Sequence, residues 1–458
     1  MAALPASRVP LTQSGAPQAT FSLAGEAATV AEWRSSPTIW RFPCQERSLP
    51  VPKPVRQQDW RFLMLLFTVT SFLELNSWGH LTAFTPLFLR NELNVPQEEI
   101  PRWTGVLASS SLVVALPLSP FWGVLADRYS RKAVIIRSLF VESLCFGALS
   151  LCADVWQMLA IRVCLGLAFG NLAVAVATQS IATPDRQVGT AIGIIQTGAT
   201  VAQSAGPLLG SLVINTLGLR AMFAVDSALT LTAALLVLLA FQEPDLHDRT
   251  TPLTAKVRLV LQQVATVPPI RWNFVCWFLV FAGAGAMEPF LPVLIDRMVG
   301  PAESATAIGT LLAAYGLLTA LGTPFAGRLA DRVGAAPLFL AAPPVLAILA
   351  AAISLVSTLP ALAALVILRA IPQAGTAVVL YSHLAAHVPS QDRAAVMSLT
   401  PMPRNAAWLV APGMAAAASG FGLSGVFWLS AAIFALASVV ALLMLRSSRA
   451  REGQARVG

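Results

Sequence analysis

Residues 123 to 132 read Gly123-Val-Leu-Ala-Asp127-Arg128-Tyr-Ser-Arg131-Lys132. Upstream, Trp103 to Trp122 is almost uninterrupted apolar and small-residue sequence, and downstream Ala133 to Val155 is nearly as apolar. A polar, basic decapeptide between two membrane-length runs predicts a short cytoplasmic turn joining two transmembrane helices. The pattern returns as Gly327-Arg-Leu-Ala-Asp331-Arg332-Val-Gly334, again between apolar runs, with the two aspartates 204 positions apart. An apolar chain that repeats its polar punctuation predicts a duplicated membrane protein.

Composition supports the same reading. Hydrophobic residues make up 56% of the 458 and charged residues only 11%, with mean hydropathy +0.70. Soluble domains carry about 25% charged residues, so membrane solvation explains this chain better than water. Cys145, Cys152, Cys164 and Cys276 fall in or at the ends of apolar runs, with no C-x-x-C spacing, which argues for inert packing over a disulfide framework or metal site.

Residues 1–59 lack sustained periodicity and a signal-peptide core, and are expected to form a flexible cytoplasmic extension. Twelve apolar spans follow, near 62–88, 103–125, 134–152, 156–180, 188–216, 220–241, 272–295, 304–326, 336–357, 361–386, 395–418 and 421–445. They are expected to be helices, because backbone polar groups in hydrocarbon must be satisfied within the segment. This predicts an all-α membrane protein with a six-helix bundle over 60–241, a cytoplasmic linker over 242–271, a second bundle over 272–446 and a tail over 447–458. In the linker, Lys256-Val-Arg-Leu-Val-Leu-Gln-Gln is expected to lie on the membrane surface as an amphipathic helix. With the amino terminus cytoplasmic, 23 Lys and Arg fall inside and four outside (Arg90, Arg102, Arg220, Arg297). That asymmetry predicts both termini in the cytoplasm of a plasma or inner membrane, and makes the net charge of +8 a topology signal, with no support for nucleic-acid binding.

The repeat recurs elsewhere. Pro86 matches Pro292, Arg162 matches Arg369 and Asp185-Arg186 matches Asp392-Arg393, at separations of 206, 207 and 207. These registers predict two pseudo-symmetric six-helix halves.

Over roughly residues 60–446 the chain resembles the major facilitator superfamily. The family's G-x-x-x-D-R-x-G-R-K signature matches Gly123, Asp127, Arg128, Arg131 and Lys132, with Ser130 where Gly is usual; the second copy keeps Gly327, Asp331 and Arg332. Two further patterns resemble those of bacterial twelve-helix drug:proton antiporters. R-x-x-Q-G-x-G corresponds to Arg162-Val-Cys-Leu165-Gly166-Leu-Ala168, departing at Leu165 and Ala168. G-x-x-x-G-P-x-x-G-G corresponds to Ala202-Gln-Ser-Ala-Gly206-Pro207-Leu-Leu-Gly210-Ser211. The resemblance implies a transporter that works by rocking of its halves, typically monomeric, without cofactor or enzymatic activity. It also implies a conformational latch, Asp127 meeting the amino end of helix eleven near Ala395; the alternative is a loop that only anchors topology by charge.

Polar residues inside spans are the candidate site. Glu74, near the middle of span one, costs about 2.5–3.5 kcal/mol on insertion scales, so it is expected to carry protons unless it is merely hydrogen-bonded between helices. Glu288, ahead of Pro289 in span seven, is a second candidate for coupling or substrate binding. Arg162 and Arg369, in symmetric positions, neutralise a carboxylate, bind an anionic substrate, or clamp helices; the resemblance adds Arg162 to the coupling set. His80 is either a proton shuttle or an interfacial side chain. Asp226 and Glu142, on helices that pack peripherally in this fold, are expected to form structural pairs. Asn76, Asn171, Gln196, Gln203, Gln373, Tyr381 and Trp408 are expected, with His80 and Arg369, to line a cavity between the halves.

No Walker loop, dinucleotide fingerprint, Ser/His/Asp set or metal cluster is legible, which excludes an ATP-driven pump and most enzymes. The expected function is proton-coupled export of hydrophobic or cationic small molecules. The alternatives are a carrier for one metabolite, such as a sugar, siderophore or organic anion, and a non-transporting membrane receptor.

Overall fold

The computed structural model describes residues 58–243, 268–388, 396 and 400–457; the side chains of Gly123, Asp127, Asp185 and those after Arg446 are outside that description. The expectations for residues 1–57, for the Lys256 segment, for Asp392-Arg393 and for the Ala395 end of the latch therefore lie outside the described residues.

Twelve helices make up the rest. In the first half they are α1 (Trp60–Asn91), α2 (Ile100–Arg128), α3 (Arg131–Ser150), α4 (Val155–Ala182), α5 (Val188–Leu217) and α6 (Leu219–Ala240). In the second they are α7 (Pro268–Met287, continuing through Glu288–Phe290 into Leu291–Val299), α8 (Ser304–Val333), α9 (Ala335–Leu355), α10 (Leu359–His387), α11 (Pro401–Ala418) and α12 (Leu423–Val457). Each overlies one of the expected spans. Among the described residues nine are long and apolar enough to cross a membrane.

Local chemistry sets the ends. Asp59 caps α1 by accepting from Arg61 N, and Asp154 caps α4 by accepting from Trp156 N and Gln157 N at 2.8 and 2.9 Å. Gly334, at φ +84°, makes the tight turn from α8 to α9 in a conformation that costs other residues strain. Inside the helices, hydroxyls of Thr104, Thr178 and Thr230 bond back to the carbonyl four residues earlier, which satisfies them in an apolar setting.

Packing follows the repeat. In the first half α1 packs on α5 and α6, and α3 on α6; in the second α7 packs on α11 and α12, and α9 on α12. The halves meet through α2 on α11 and α5 on α8. Several of these contacts lie toward the end of the bundle that carries the α1–α2 turn. There Arg90 pairs with Asp296 across the halves, Asn215 Nδ2 donates to Thr306 Oγ1 at 2.9 Å, and Gly105 and Gly309 lie against backbone carbonyls of Pro412 and Pro207. Toward the other end, Gly189 and Gly193 of α5 face open space.

Candidate functional site

α4 and α7 are both interrupted mid-span. α4 tightens at Gly166–Ala168 and is extended at Phe169, where Gly170 at φ +112° starts it again; α7 tightens at Glu288–Phe290, where Pro289 and Pro292 withhold backbone donors. Both breaks have buried ionisable groups beside them.

Beside the α4 break, the Glu74 carboxyl (5% exposed) of α1 reaches Asn171 of α4 and Glu142 (1% exposed) of α3. The Trp78 indole donates to Glu142 Oε1 at 3.3 Å, while Glu142 Oε2 meets no donor. Nearly two helical turns after Glu74 on α1, His80 (1% exposed) bonds Asp226 Oδ1 of α6 through Nδ1 at 2.7 Å and approaches Asn76 through Nε2 at 3.3 Å. The interfacial reading of His80 is therefore replaced by a fully enclosed His–Asp pair. Asn76 and His80 are turned toward α5 and α6, away from any open surface, because α1 presses its Gly79 face onto α5.

Beside the α7 break, Arg369 (0% exposed) of α10 donates to Glu288 Oε1, and Tyr315 of α8 donates to the same oxygen at 3.4 Å. The guanidinium stands over the Tyr315 ring, 4.7 Å from its centroid. Its repeat partner Arg162 is equally buried but finds only neutral acceptors, Thr85 Oγ1 and the Leu81 carbonyl; its Nε has no partner. Glu288 lies in register with Thr82, one turn before Thr85, so the two arginines reach corresponding stretches of α1 and α7.

Gln196 and Gln203 are exposed on α5, Gln373 is half-buried on α10, and Trp408 of α11 packs against Gly285 of α7. Tyr381 meets Trp277 edge-on at 4.5 Å and accepts from Thr400 at 3.2 Å.

The Gly206-Pro207-Gly210 element sits where three helices meet. A Cβ on Gly206 would lie 2.9 Å from the Asn76 carbonyl, one on Gly210 would strike His80 and Phe84 at 2.6 and 2.7 Å, and the Pro207 carbonyl faces Gly309 of α8. Small residues are required there because α5 touches α1 on one side and the other half on its second side.

The loop from Asp127 to Lys132 is tied within its own half. Ser130 caps α3 by accepting from Ala133 N at 3.0 Å and donates to Glu243 Oε2 at 2.5 Å; Arg131 N donates to Glu243 Oε1, and Lys132 Nζ donates to the Phe241 carbonyl at 2.6 Å. Serine at a position where the resemblance expected glycine thus supplies both a cap and a tether. Arg128 is exposed beside the Tyr129 ring, and in the second copy Asp331 and Arg332 are exposed at the end of α8, with Gly327 near Val378. Glu243, Tyr315, Arg137 and Asp296 were not singled out by sequence reasoning; Glu142 and Asp226 were, but as structural acids, although a charge at mid-span was the available signal.

A sequence profile of the Major Facilitator Superfamily matches residues 66–301 and 298–457. The multidrug resistance protein MdtG of Serratia proteamaculans is 28% identical over 290 residues, covering 62% of this chain and 69% of that protein. MdtG of Proteus mirabilis is 27% identical over 285 residues, covering 61% and 69%. Among solved structures, the nucleoside transporter NupG superposes with TM-score 0.70 at 14% identity, over 84% of this chain and 99% of that one. A bacterial homologue of the human lysosomal transporter Spinster, inward-facing and unoccupied, gives 0.68 at 16% identity, over 86% and 98%. With twelve helices in two pseudo-symmetric bundles and profile matches across both, this multi-pass membrane protein belongs to the Major Facilitator Superfamily.

Proposed function

We propose that the protein is a secondary transporter of the plasma or inner membrane that exports lipophilic, cationic small molecules in exchange for protons. One observation carries the reading: each half places an acid beside a broken helix, the buried Glu74 at α4 and the half-buried Glu288 in α7. A carboxyl in that setting attracts either a proton or a cation, and an unwound helix mid-membrane is where transporters of alternating access bind and release cargo. The MdtG relatives, multidrug resistance proteins by name, support the substrate class. Contact of the halves at the α1–α2 turn end, with Gly189 and Gly193 facing open space at the other, supports an inward-facing resting state with both termini cytoplasmic. The exposed Gln196 and Gln203, with Gln373, Tyr381 and Trp408, are the side chains we assign to the cavity wall; the protein acts as a monomer on its substrate and protons, in the bilayer.

A second reading has its own support. Arg162 is a buried cation whose Nε lacks a partner, which favours a carrier of an organic anion. Proton-driven efflux of a fluorescent cationic dye from membrane vesicles, comparing wild type with Glu74→Gln and Glu288→Gln, separates the two. Loss of pH-driven efflux in either variant at normal protein level is expected. No transport of cationic dyes by wild type, with uptake or release of anions that depends on Arg162, would replace the first reading by the second.

A further inference from the structure

The α4 break and the acids beside it form one cluster with an unfilled hydrogen bond. Trp122 covers Gly170, where a Cβ would lie 3.2 Å from the Trp122 Cβ. Arg137 of α3 stacks on Trp122, 3.3 Å from the ring centroid, and its Nη2 donates to the Phe169 carbonyl at 3.4 Å. Trp78 meets the Phe169 ring edge-on at 5.2 Å and donates to Glu142. Asn171, just after the break, reaches Glu74, which in turn meets Glu142.

Two ionised carboxylates in contact offer each other only acceptors, and Glu142 Oε2 indeed meets no donor. A single proton between the two carboxyls supplies that donor. Arg137 is the charged group facing the pair, with Nε and Nη1 buried and unpaired. Of the other neighbours, α3 itself adds the neutral Cys145 thiol, α4 contributes the neutral Asn171, α2 the Trp122 ring, and on α1 His80 is engaged by Asp226 of α6. Two carboxyls with one proton, beside one guanidinium, are together neutral. Loss of the proton leaves one uncompensated negative charge in apolar surroundings, which a monovalent cation among the Trp78, Trp122 and Phe169 rings would balance.

We propose that Glu142 and Glu74 hold one shared proton, countered by Arg137, and that a monovalent organic cation displaces it one for one at the α4 break. This rests on the cation-export reading above. In the step, the cation enters the cluster, the shared proton leaves to water, and the cluster stays neutral.

The test uses the purified full chain and tetraphenylphosphonium. Wild type is expected to release one proton per cation bound, with affinity falling about tenfold per pH unit on the acid side. Glu142→Gln, isosteric with the parent, keeps one carboxylate against Arg137 and so matches the charge of the protonated wild type. It is expected to bind weakly at every pH and release no proton; wild-type proton release and pH slope in this variant would overturn the proposal. A ligand-free arm reads the protonated-carboxyl C=O band in the infrared at neutral pH. The band is expected in wild type and lost in Glu142→Gln and in Glu74→Gln; a band unchanged in both overturns the shared proton. Loss of the band with no cation bound by wild type removes the export reading and the exchange step while upholding the shared proton.

Discussion

Gly105 is the most direct handle on how the halves close. It lies on α2 facing α11, and a Cβ there would stand 2.3 Å from the Pro412 carbonyl oxygen, 2.7 Å from the Ala416 Cβ and 3.0 Å from the Phe290 ring. All three neighbours belong to the second half, so Gly105→Ala leaves the packing of the first half untouched. The carbonyl is backbone and cannot swing aside; relief requires α2 and α11 to separate by about an ångström or more. Overpacking of this kind costs about 1–3 kcal/mol, paid only in the state closed at this end. The equilibrium should therefore move roughly 5- to 150-fold toward the state open there. Spin labels at Asn91 and Glu303, exposed at that end in opposite halves, would read this in a chain with its five cysteines replaced. Double electron–electron resonance is expected to show a longer-distance population in Gly105→Ala. Gly166→Ala is the control: its Cβ would stand 2.3 Å from the Ser111 carbonyl, within the same half. Both states carry that clash, so it should lower thermal stability without shifting the distances. An unchanged distribution in Gly105→Ala, with wild-type stability, would refute the assignment of this contact as the closing surface.

Arg90→Ala, which removes the Asp296 partner across the halves, should shift the same label distances in the same direction, by less because the pair is partly solvated. Arg369→Gln strands the Glu288 carboxylate; a cost of roughly 3 kcal/mol, at the low end for a broken buried pair because Glu288 keeps 26% exposure, should appear as a lower unfolding temperature in detergent, and Arg369→Gln/Glu288→Gln should recover most of it. Glu243→Ala frees Ser130 and Arg131 N and should cost about 1–2 kcal/mol, read as faster proteolysis of the α2–α3 loop at unchanged dye affinity. Arg137→Gln removes the counter-charge, so the carboxyl pair should take up a second proton; a protonated-carboxyl infrared band at neutral pH stronger than that of wild type checks it.

Helix number, approximate span ends and the twofold repeat were legible because hydrocarbon imposes one local solution on every backbone segment that enters it. Twenty apolar residues must become a helix whatever surrounds them. The mid-span acids and arginines were legible as anomalies for the same reason. Their partners were not. Periodicity places Glu142 on α3 and Glu74 on α1 but cannot say that α3 turns that face inward, so Glu142 read as an ordinary structural acid. Whether His80 was a proton shuttle or interfacial stayed open in the sequence because the polar residue opposite it, Asp226, is 146 positions away. Nor could the pattern separate Arg369, which finds Glu288, from Arg162, which finds Thr85, since the repeat makes them equivalent in sequence.

The sequence by itself thus determined a duplicated twelve-helix membrane chain, the family it resembles and the side chains that pay to be inside the bilayer. Tertiary structure alone decided which of those side chains share a hydrogen bond, an ion pair or a cap. Burial cost is a property of one residue at one depth, whereas the compensation for it depends on helix rotation and long-range contact, which a local pattern does not encode.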